Sequence, residues 1–287
     1  KSHVRDLEDN PFIREELRIL LDPAAAVMCA DLYYRIAMRF PIVDGKYLAK
    51  LAGGGDLIFE GAQGVLLDEW HGFHPYTTWS TTTFANANTL LREIGYVGIV
   101  EKLGVMRAYM TRHGAGPFPT EDTLLGTVMP DLHNGVGVWQ GGFRVGWFDL
   151  VLARYALAVS GGADALAVTN VDRFTALPRH RVGISYRSKK GMLSERERQA
   201  VHLQPAEDRR YEEVTNLLPK PILTDLSYQE TLTSILGKST PLYVDAPAGI
   251  NQYLQMIEKN LGVPITITSH GQTALDKHRR TLVEMAA

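Results

Sequence analysis

The stretch Ala163-Asp164-Ala165-Leu166-Ala167-Val168-Thr169-Asn170-Val171-Asp172 decides how the rest of the chain is read. Its short run of Ala, Leu and Val predicts a buried strand over 163–169, and the run stops abruptly at a polar Asn-Val-Asp end. Just upstream, residues 147–159 have the spacing of an amphipathic helix. Outward from this pair the pattern repeats. A strand is predicted at 56–60, after Gly53-Gly54-Gly55, running into Gly61-Ala62-Gln63-Gly64. A second is predicted over 105–111, ending at His113-Gly114-Ala115-Gly116-Pro117, and another over 263–268. Residues 181–187 read as an edge strand. Asn10-Pro11 starts a helix and Asp22-Pro23 punctuates it; further helices are expected over 24–40, 250–261 and 274–285. Residues 189–240 read as polar and irregular. Helices alternating with strands predict an α/β fold with a mixed, mainly parallel central sheet flanked by helices. Strand ends rich in Gly, Gln, Asn, Asp and His suit a ligand site over one sheet edge.

Composition narrows the function. Of 287 residues, 45% are hydrophobic, and 30 Lys and Arg against 32 Asp and Glu leave a net charge of -2. That balance argues against a bulk nucleic-acid surface or an anionic membrane partner, so any anion site is local. The single cysteine, Cys29, allows no intrachain disulfide and fits a reducing, cytoplasmic compartment. It lies in an apolar run, Ala24-Ala25-Ala26-Val27-Met28-Cys29-Ala30, and is expected in the core. No apolar run reaches the roughly 18 residues of a bilayer span. The start at Lys1 shows no signal-peptide pattern and no Met, which points to truncation or processing.

Three segments then stand out together: Phe59-Glu60-Gly61-Ala62-Gln63-Gly64-Val65-Leu66-Leu67-Asp68 with His71-Gly72 and Pro75-Tyr76-Thr77-Thr78; Thr111-Arg112-His113-Gly114-Ala115-Gly116-Pro117-Phe118-Pro119-Thr120-Glu121; and Arg144-Val145-Gly146-Trp147-Phe148-Asp149. In order and spacing they resemble the adenylosuccinate synthetase family, whose fold is P-loop-related. The resemblance runs over the whole chain and is weakest at 189–240. It implies one synthetase-like domain over 1–287, the C-terminal two-thirds of the family fold. It also implies a cytoplasmic, homodimeric ligase of purine biosynthesis that uses GTP and Mg2+. Such an enzyme phosphorylates the 6-oxygen of a 6-oxopurine nucleotide and lets an amino acid displace the phosphate.

By this resemblance Gln63 contacts the reacting 6-oxo region, as a neutral amide donor and acceptor. Leu67 flanks the base, Thr78 binds the 5′-phosphate, and His113 and Gly114 open the 114–121 loop that lines the ribose. Asn170 and Asp172, with Ser269 and Gly271, hold the base of the phosphate donor. Arg144, Gln140 and Trp139 fall where the amino acid binds. On residue type alone, Gln63 could equally satisfy loop backbone, Thr78 belongs to a Thr-rich stretch, and Asp172 could be a turn residue. Asp68, His71 and His74 are too loosely spaced for a metal site, and no metal ligand is expected in this chain.

The departures from the family matter as much. Its phosphate-gripping loop of the type Gly-Asp-Glu-Gly-Lys-Gly-Lys has no counterpart among these residues, so phosphate transfer is expected to need a further region. The family's Thr-Thr-Gly-Arg-Arg-Arg-Arg loop is replaced by Val138-Trp139-Gln140-Gly141-Gly142-Phe143-Arg144, leaving one cation. Aspartate stays the first amine expected, but one guanidinium holds only one carboxylate bidentately. Asn170 stands for the family's lysine and Gln272 for its proline, which opens ATP as an alternative to GTP. His113 and Phe73-His74 also differ, so dGMP or GMP stands beside IMP as the expected substrate. The alternative to a ligase is a truncated or diverged nucleotide-binding paralogue acting as a partner subunit.

Overall fold

Proline and aspartate set the first helices. A computed structural model of the protein describes residues 11–131, 134–138, 140–175, 177 and 179–280. Helix α1 (Pro11–Leu21) begins on its proline, and Asp22 caps α2 (Pro23–Ala37) by accepting from the Ala24 N–H at 2.9 Å. Proline costs nothing at a helix start, where its missing N–H would have had no partner. Asp44 caps α3 (Gly45–Ala52) in the same way. Of the described residues, 11–57 and 90–96 form one compact unit. The helix expected over 24–40 is present but ends at Ala37, and its expected burial is not. No α2 residue is buried, Met28 is 69% exposed, and Cys29 is exposed rather than in a core. An apolar run predicts burial only where another element covers it, and among the described residues none covers α2.

In chain order there follow a 3₁₀ turn (Val65–Leu67), α4 (Ala85–Glu93), β1 (Leu103–Arg107), β2 (Met110–His113), α5 (Thr123–Val128), β3 (Phe143–Gly146), β4 (Phe148–Asp149) and α6 (Leu150–Val159). Then come β5 (Ala165–Thr169), α7 (Val171–Thr175), β6 (Arg181–Lys189), α8 (Glu195–Gln199), β7 (Val201–Pro205), β8 (Tyr211–Leu217) and α9 (Leu226–Gly237). The last elements are β9 (Thr240–Asp245), α10 (Ile250–Leu261), β10 (Ile265–Ser269), a 3₁₀ turn (Ala274–Asp276) and β11 (Lys277–Arg279).

The described residues of 58–89 and 97–280 form the second unit. Its first sheet has the order β1-β5-β10-β11, with β1, β5 and β10 mutually parallel and β11 antiparallel at the edge. This is the mainly parallel sheet that the alternating pattern predicts. Residues 165–168 of β5 are all buried, as a central parallel strand requires. The register sets Arg107 beside Thr169 and Thr268 beside Val168, so the carboxyl ends of three strands lie side by side.

A ribbon of β2 and β3 and a second sheet complete the unit. In the second sheet β6 pairs in parallel with β4 and antiparallel with both β8 and β9. Residues 181–187 are therefore central, not at an edge. Gly183 and Ser185 break the apolar alternation, yet a Cβ on Gly183 would lie 2.8 Å from Thr120 Cγ2. The 189–240 region is regular, not irregular. Its β8 looks unstrandlike because of Glu212 and Glu213, whose charges are satisfied by neighbouring elements. Arg198 grips Glu212 at 2.6 and 3.0 Å, and Glu213 accepts from Ser185 Oγ and Gln204 Nε2.

Other expectations shift. Residues 56–60 form no strand; no described strand pairs with them, and Ile58 is 93% exposed. The strand over 105–111 is two strands, broken at buried Ala108 and Tyr109. The break is held by Ala108 N–H on the Thr169 carbonyl and by Tyr253 OH on the Ala108 carbonyl at 2.6 Å. The helix expected over 147–159 starts at Leu150, after β4. In place of a helix over 274–285 there are a 3₁₀ turn and β11, with residues 281–285 outside the described set. His270 N–H donates to the Asp276 carbonyl, and the segment folds back along β10.

Asp149 joins the two sheets' surroundings to α6. Its Oδ1 accepts from the N–H groups of Val151 and Leu152, and its Oδ2 from Tyr186 OH at 2.8 Å. It is fully buried, and burial raises its pKa to about 6 against the hydrogen bonds from Leu152, Tyr186 and Val151. The folded state thus holds a proton on Asp149 that the unfolded chain releases nearer pH 4. Stability from this group is greatest in acid and falls as pH rises through about 6. The fall is at most about 3 kcal/mol for a shift of about two units. Chemical denaturation of wild type and Asp149→Asn at pH 4.5 and pH 7 measures it: the advantage of wild type over the variant is expected to shrink at the higher pH.

Candidate functional site

Asp68 organises the loop over residues 64–82. It is completely buried, and its carboxylate accepts from Trp70 N, His71 N, Thr82 N and, at 3.3 Å, Thr82 Oγ1. Its oxygens are thus spent on the loop, which ties residues 68–71 to 82. Below the loop, Tyr155 OH and Gln229 Nε2 donate to the His71 carbonyl at 2.8 and 2.6 Å, Gln229 also reaches the Gly72 carbonyl, and Thr233 Oγ1 holds the His74 carbonyl. Gln229 and Thr233 lie on α9, so the stretch that reads as irregular in sequence is the platform for this loop. Burial also holds the His71 imidazole below its ordinary pKa, which favours its neutral form.

On that platform the predicted nucleotide residues come together. Ser80 Oγ donates to Gln63 Oε1 at 2.9 Å and lies 3.2 Å from Thr78 Oγ1, while Thr78 N–H donates to the Leu67 carbonyl at 2.8 Å. Gln63, Ser80, Thr78 and Leu67 therefore form one polar row with one apolar neighbour. Gln63 has φ 65, a left-handed conformation unusual for a residue with a side chain. Such outliers concentrate at functional sites.

Arg112 joins this loop to the glycine-rich one. It is 7% exposed, and its guanidinium donates from Nη2 to the Tyr76 carbonyl and from Nε to the Ala115 carbonyl, both at 2.9 Å. Burial first, and then the neighbouring Arg144, lowers its pKa to about 10. Gly116, at φ 109, leaves room for that guanidinium: a Cβ there would lie 2.3 Å from Arg112 Nη2. Gly114, at φ 81, passes equally close to the Gln140 carbonyl, 2.3 Å from where a Cβ would stand. Only glycine fits such backbone contacts. Sequence reasoning gave no role to Arg112, Gln229 or Tyr155, and weighed Asp68 only as a metal ligand. The adjacency of Arg112 to a Gly-x-Gly turn was the available signal.

Arg144 binds the same loop from the other side. Its Nε and Nη2 grip Glu121 at 3.0 and 2.5 Å, and its Nη1 donates to the carbonyls of Gly114 and Gly116. The residue expected to take the amino acid's carboxylate is here engaged by Glu121. His113 and Gln140 line one cavity of about 290 Å³ with Asn134, Gly135, Val136 and Gly137. His113 Nε2 is buried without a hydrogen-bond partner, and its ring meets Phe143 edge-on at 5.8 Å. Arg107, at the carboxyl end of β1, lies over the Phe143 ring, 5.6 Å from its centre. Phe143 thus links the sheet edge to the cavity. Trp139 lies outside the described residues.

The remaining predicted residues gather at the carboxyl edge of the parallel sheet. Asn170, at φ 58, turns the chain from β5 into α7 and accepts from Thr169 Oγ1 at 3.1 Å. Asp172 is exposed in the first turn of α7. On the neighbouring strand end, Ser269 Oγ donates to the Gly271 carbonyl at 3.1 Å, and Lys277 Nζ donates to the same carbonyl. A Cβ on Gly271 would meet Asp276 Oδ2 at 2.6 Å. Ligands of open α/β sheets sit at this position. Among the described residues no group of three His, Cys, Asp or Glu side chains could hold a metal ion, and no helix is long and apolar enough to cross a membrane.

The adenylosuccinate synthetase family model matches residues 18–277. The adenylosuccinate synthetase of Carboxydothermus hydrogenoformans is 37% identical over 226 residues, covering 77% of this chain and 48% of that protein. That of Desulfovibrio desulfuricans is 32% identical over 285 residues, covering 96% of this chain and 60% of that protein. Among solved structures, the fully ligated adenylosuccinate synthetase of Plasmodium falciparum superposes with a TM-score of 0.66 at 21% identity, covering 98% of this chain and 62% of that one, which shows the shared fold. The chain therefore spans about half to three-fifths of the length of these relatives. With a match over nearly all its residues, the chain belongs to the adenylosuccinate synthetase family.

Proposed function

We propose that the protein is a purine-nucleotide ligase that joins an amino acid to the 6-position of a 6-oxopurine nucleotide, and that this chain supplies its substrate loops. The observation that carries the reading is the contact between the two loops. The Gln63, Ser80 and Thr78 row and the Gly114 to Gly116 turn are bridged by one buried guanidinium. In this reading the Ser80 hydroxyl occupies the oxygen of Gln63, and the amide N–H groups face the purine 6-oxygen. Phosphorylation of that oxygen turns it into a leaving group, and fixed donors stabilise the charge that develops there. Thr78 and Ser80 take the 5′-phosphate, and the 114–121 loop lies along the ribose.

The carboxyl edge around Asn170, Asp172, Ser269 and Gly271 takes the base of the donor nucleotide, GTP or ATP. The Asp172 carboxylate suits the N1–H and 2-amino group of guanine. The cavity beside His113 and Gln140, of about 290 Å³, is taken as the amine site. Trp139 borders it in sequence, and Arg144 holds the loop that forms its wall; aspartate is the first amine to test. Magnesium belongs to this reading through the family, and the described residues of this chain offer it no ligand set. A single synthetase-like domain over 1–287, a cytoplasmic location and a homodimer complete the proposal.

The test uses the complete gene product with Mg2+, GTP or ATP, aspartate, and IMP, GMP or dGMP in turn. Orthophosphate release with a new nucleotide of the mass of the C6–N adduct is the expected result. Nucleotide binding without either product for every combination overturns the ligase reading.

A further inference from the structure

We infer that Arg112 is a positioning residue that couples the two substrate loops, so that order in one is transmitted to the other. The inference rests on the ligase reading only for what the loops bind; the coupling itself stands on geometry. Arg112 starts on β2, and its planar guanidinium spans from the Tyr76 carbonyl, two residues before Thr78, to the Ala115 carbonyl, next to Gly114. A fork with fixed N–H directions holds two acceptors at a set separation, which a flexible ammonium does not.

The charge makes little sense as plain stability. Among the described residues no carboxylate is in ion-pair contact with Arg112, and its neighbour Arg144 is another cation, which opposes its charge. Glu121 is taken by Arg144. Burying a cation without a counterion is unfavourable, and an apolar side chain of similar volume would avoid the cost. What an apolar side chain lacks is the ability to hold two turns of backbone together. Gly116 agrees with this, because any side chain there would strike both Arg112 Nη2, at 2.3 Å, and Tyr76 Cβ, at 2.7 Å. The turn is built around the guanidinium.

Hydrogen–deuterium exchange on the complete protein without nucleotide tests the coupling. The reporters are Thr78 N–H, bonded to the Leu67 carbonyl, and Gly114 N–H, bonded to the Gly142 carbonyl. In Arg112→Met both segments are expected to exchange about tenfold faster or more, while β5 amides keep their protection. Arg112→Lys is expected to fall between, and to raise the nucleotide KM more than it lowers kcat. Unchanged exchange in either segment of a folded Arg112→Met protein overturns the inference, because coupling requires both to respond. If that variant does not fold, Arg112→Lys and Gly116→Ala carry the same test, the latter by displacing the guanidinium. A wild-type protein that binds no purine nucleotide would sink the ligase reading while leaving the exchange result to decide the coupling.

Discussion

Asp68→Ala is expected to lower stability by about 3 kcal/mol or more and to abolish binding at the Gln63 and Thr78 row. The carboxylate is fully buried and receives Trp70 N, His71 N, Thr82 N and Thr82 Oγ1. Truncation leaves those donors without an acceptor, and each stranded buried donor costs about 1–3 kcal/mol, less where water can enter. The loss is not local, because Asp68 is what closes the loop that spans 64–82. Thr82 Oγ1 also reaches the Gly64 carbonyl, the neighbour of Gln63, and Glu69 N–H reaches the Ser80 carbonyl. Once Thr82 is released, Gln63, Ser80 and Thr78 no longer share one frame. A fall in melting temperature of roughly 10 °C is expected for a chain of this size, together with no calorimetric heat on titrating purine nucleotide. Asp68→Asn is expected to be milder. It keeps one oxygen for Trp70 and His71 and turns an amide N–H₂ toward the Thr82 donor. A folded Asp68→Ala protein with wild-type nucleotide affinity would show that the row is organised by something else.

The same residues show how far the sequence could be read. Elements defined by their own neighbours were legible. Pro11, Pro23 and Asp22 mark helix starts by local chemistry, 250–261 carries its own helical spacing, and β5 is apolar throughout. The residues proposed for the nucleotide could be singled out because long motifs carry them, and the fold brings Gln63, Thr78 and Leu67 together. Elements defined by distant partners were not. Residues 56–60 have strand-like composition but no described ladder to join, and Cys29 sits in an apolar run that nothing described covers. In β8, Glu212 and Glu213 disguise a strand because their partners, Arg198, Ser185 and Gln204, come from other elements. Arg112 shows the same limit within the site. Its type and position were visible, but the two carbonyls that it holds lie 36 residues before it and 3 after it, and only the fold brings them together.

Gln63 gives the second large effect, on activity far more than on stability. Its φ of 65 places a side-chain-bearing residue in the left-handed region, which costs about 1–2 kcal/mol over an ordinary conformation. Glycine adopts that conformation without the penalty, though it loses more backbone entropy on folding, about 0.5–1 kcal/mol. The bond from Ser80 is exposed and contributes only about 0.5–1.5 kcal/mol. Gln63→Gly is therefore expected to stay within about 1 kcal/mol of wild type, by balance of those terms. Gln63→Ala keeps the backbone strain while losing the amide, so it is expected to be the least stable of the three. Activity should not follow that order. If the amide donates to the purine 6-oxygen as charge builds there, both variants are expected to lose about 10²–10³ in kcat, the usual effect of deleting such a donor. Denaturation midpoints and steady-state rates on the same three proteins separate the two roles. A rate that tracks stability would mean that Gln63 only shapes the loop. A glycine variant as stable as wild type and nearly inactive would mean that the strain at residue 63 is maintained for the sake of the amide's position.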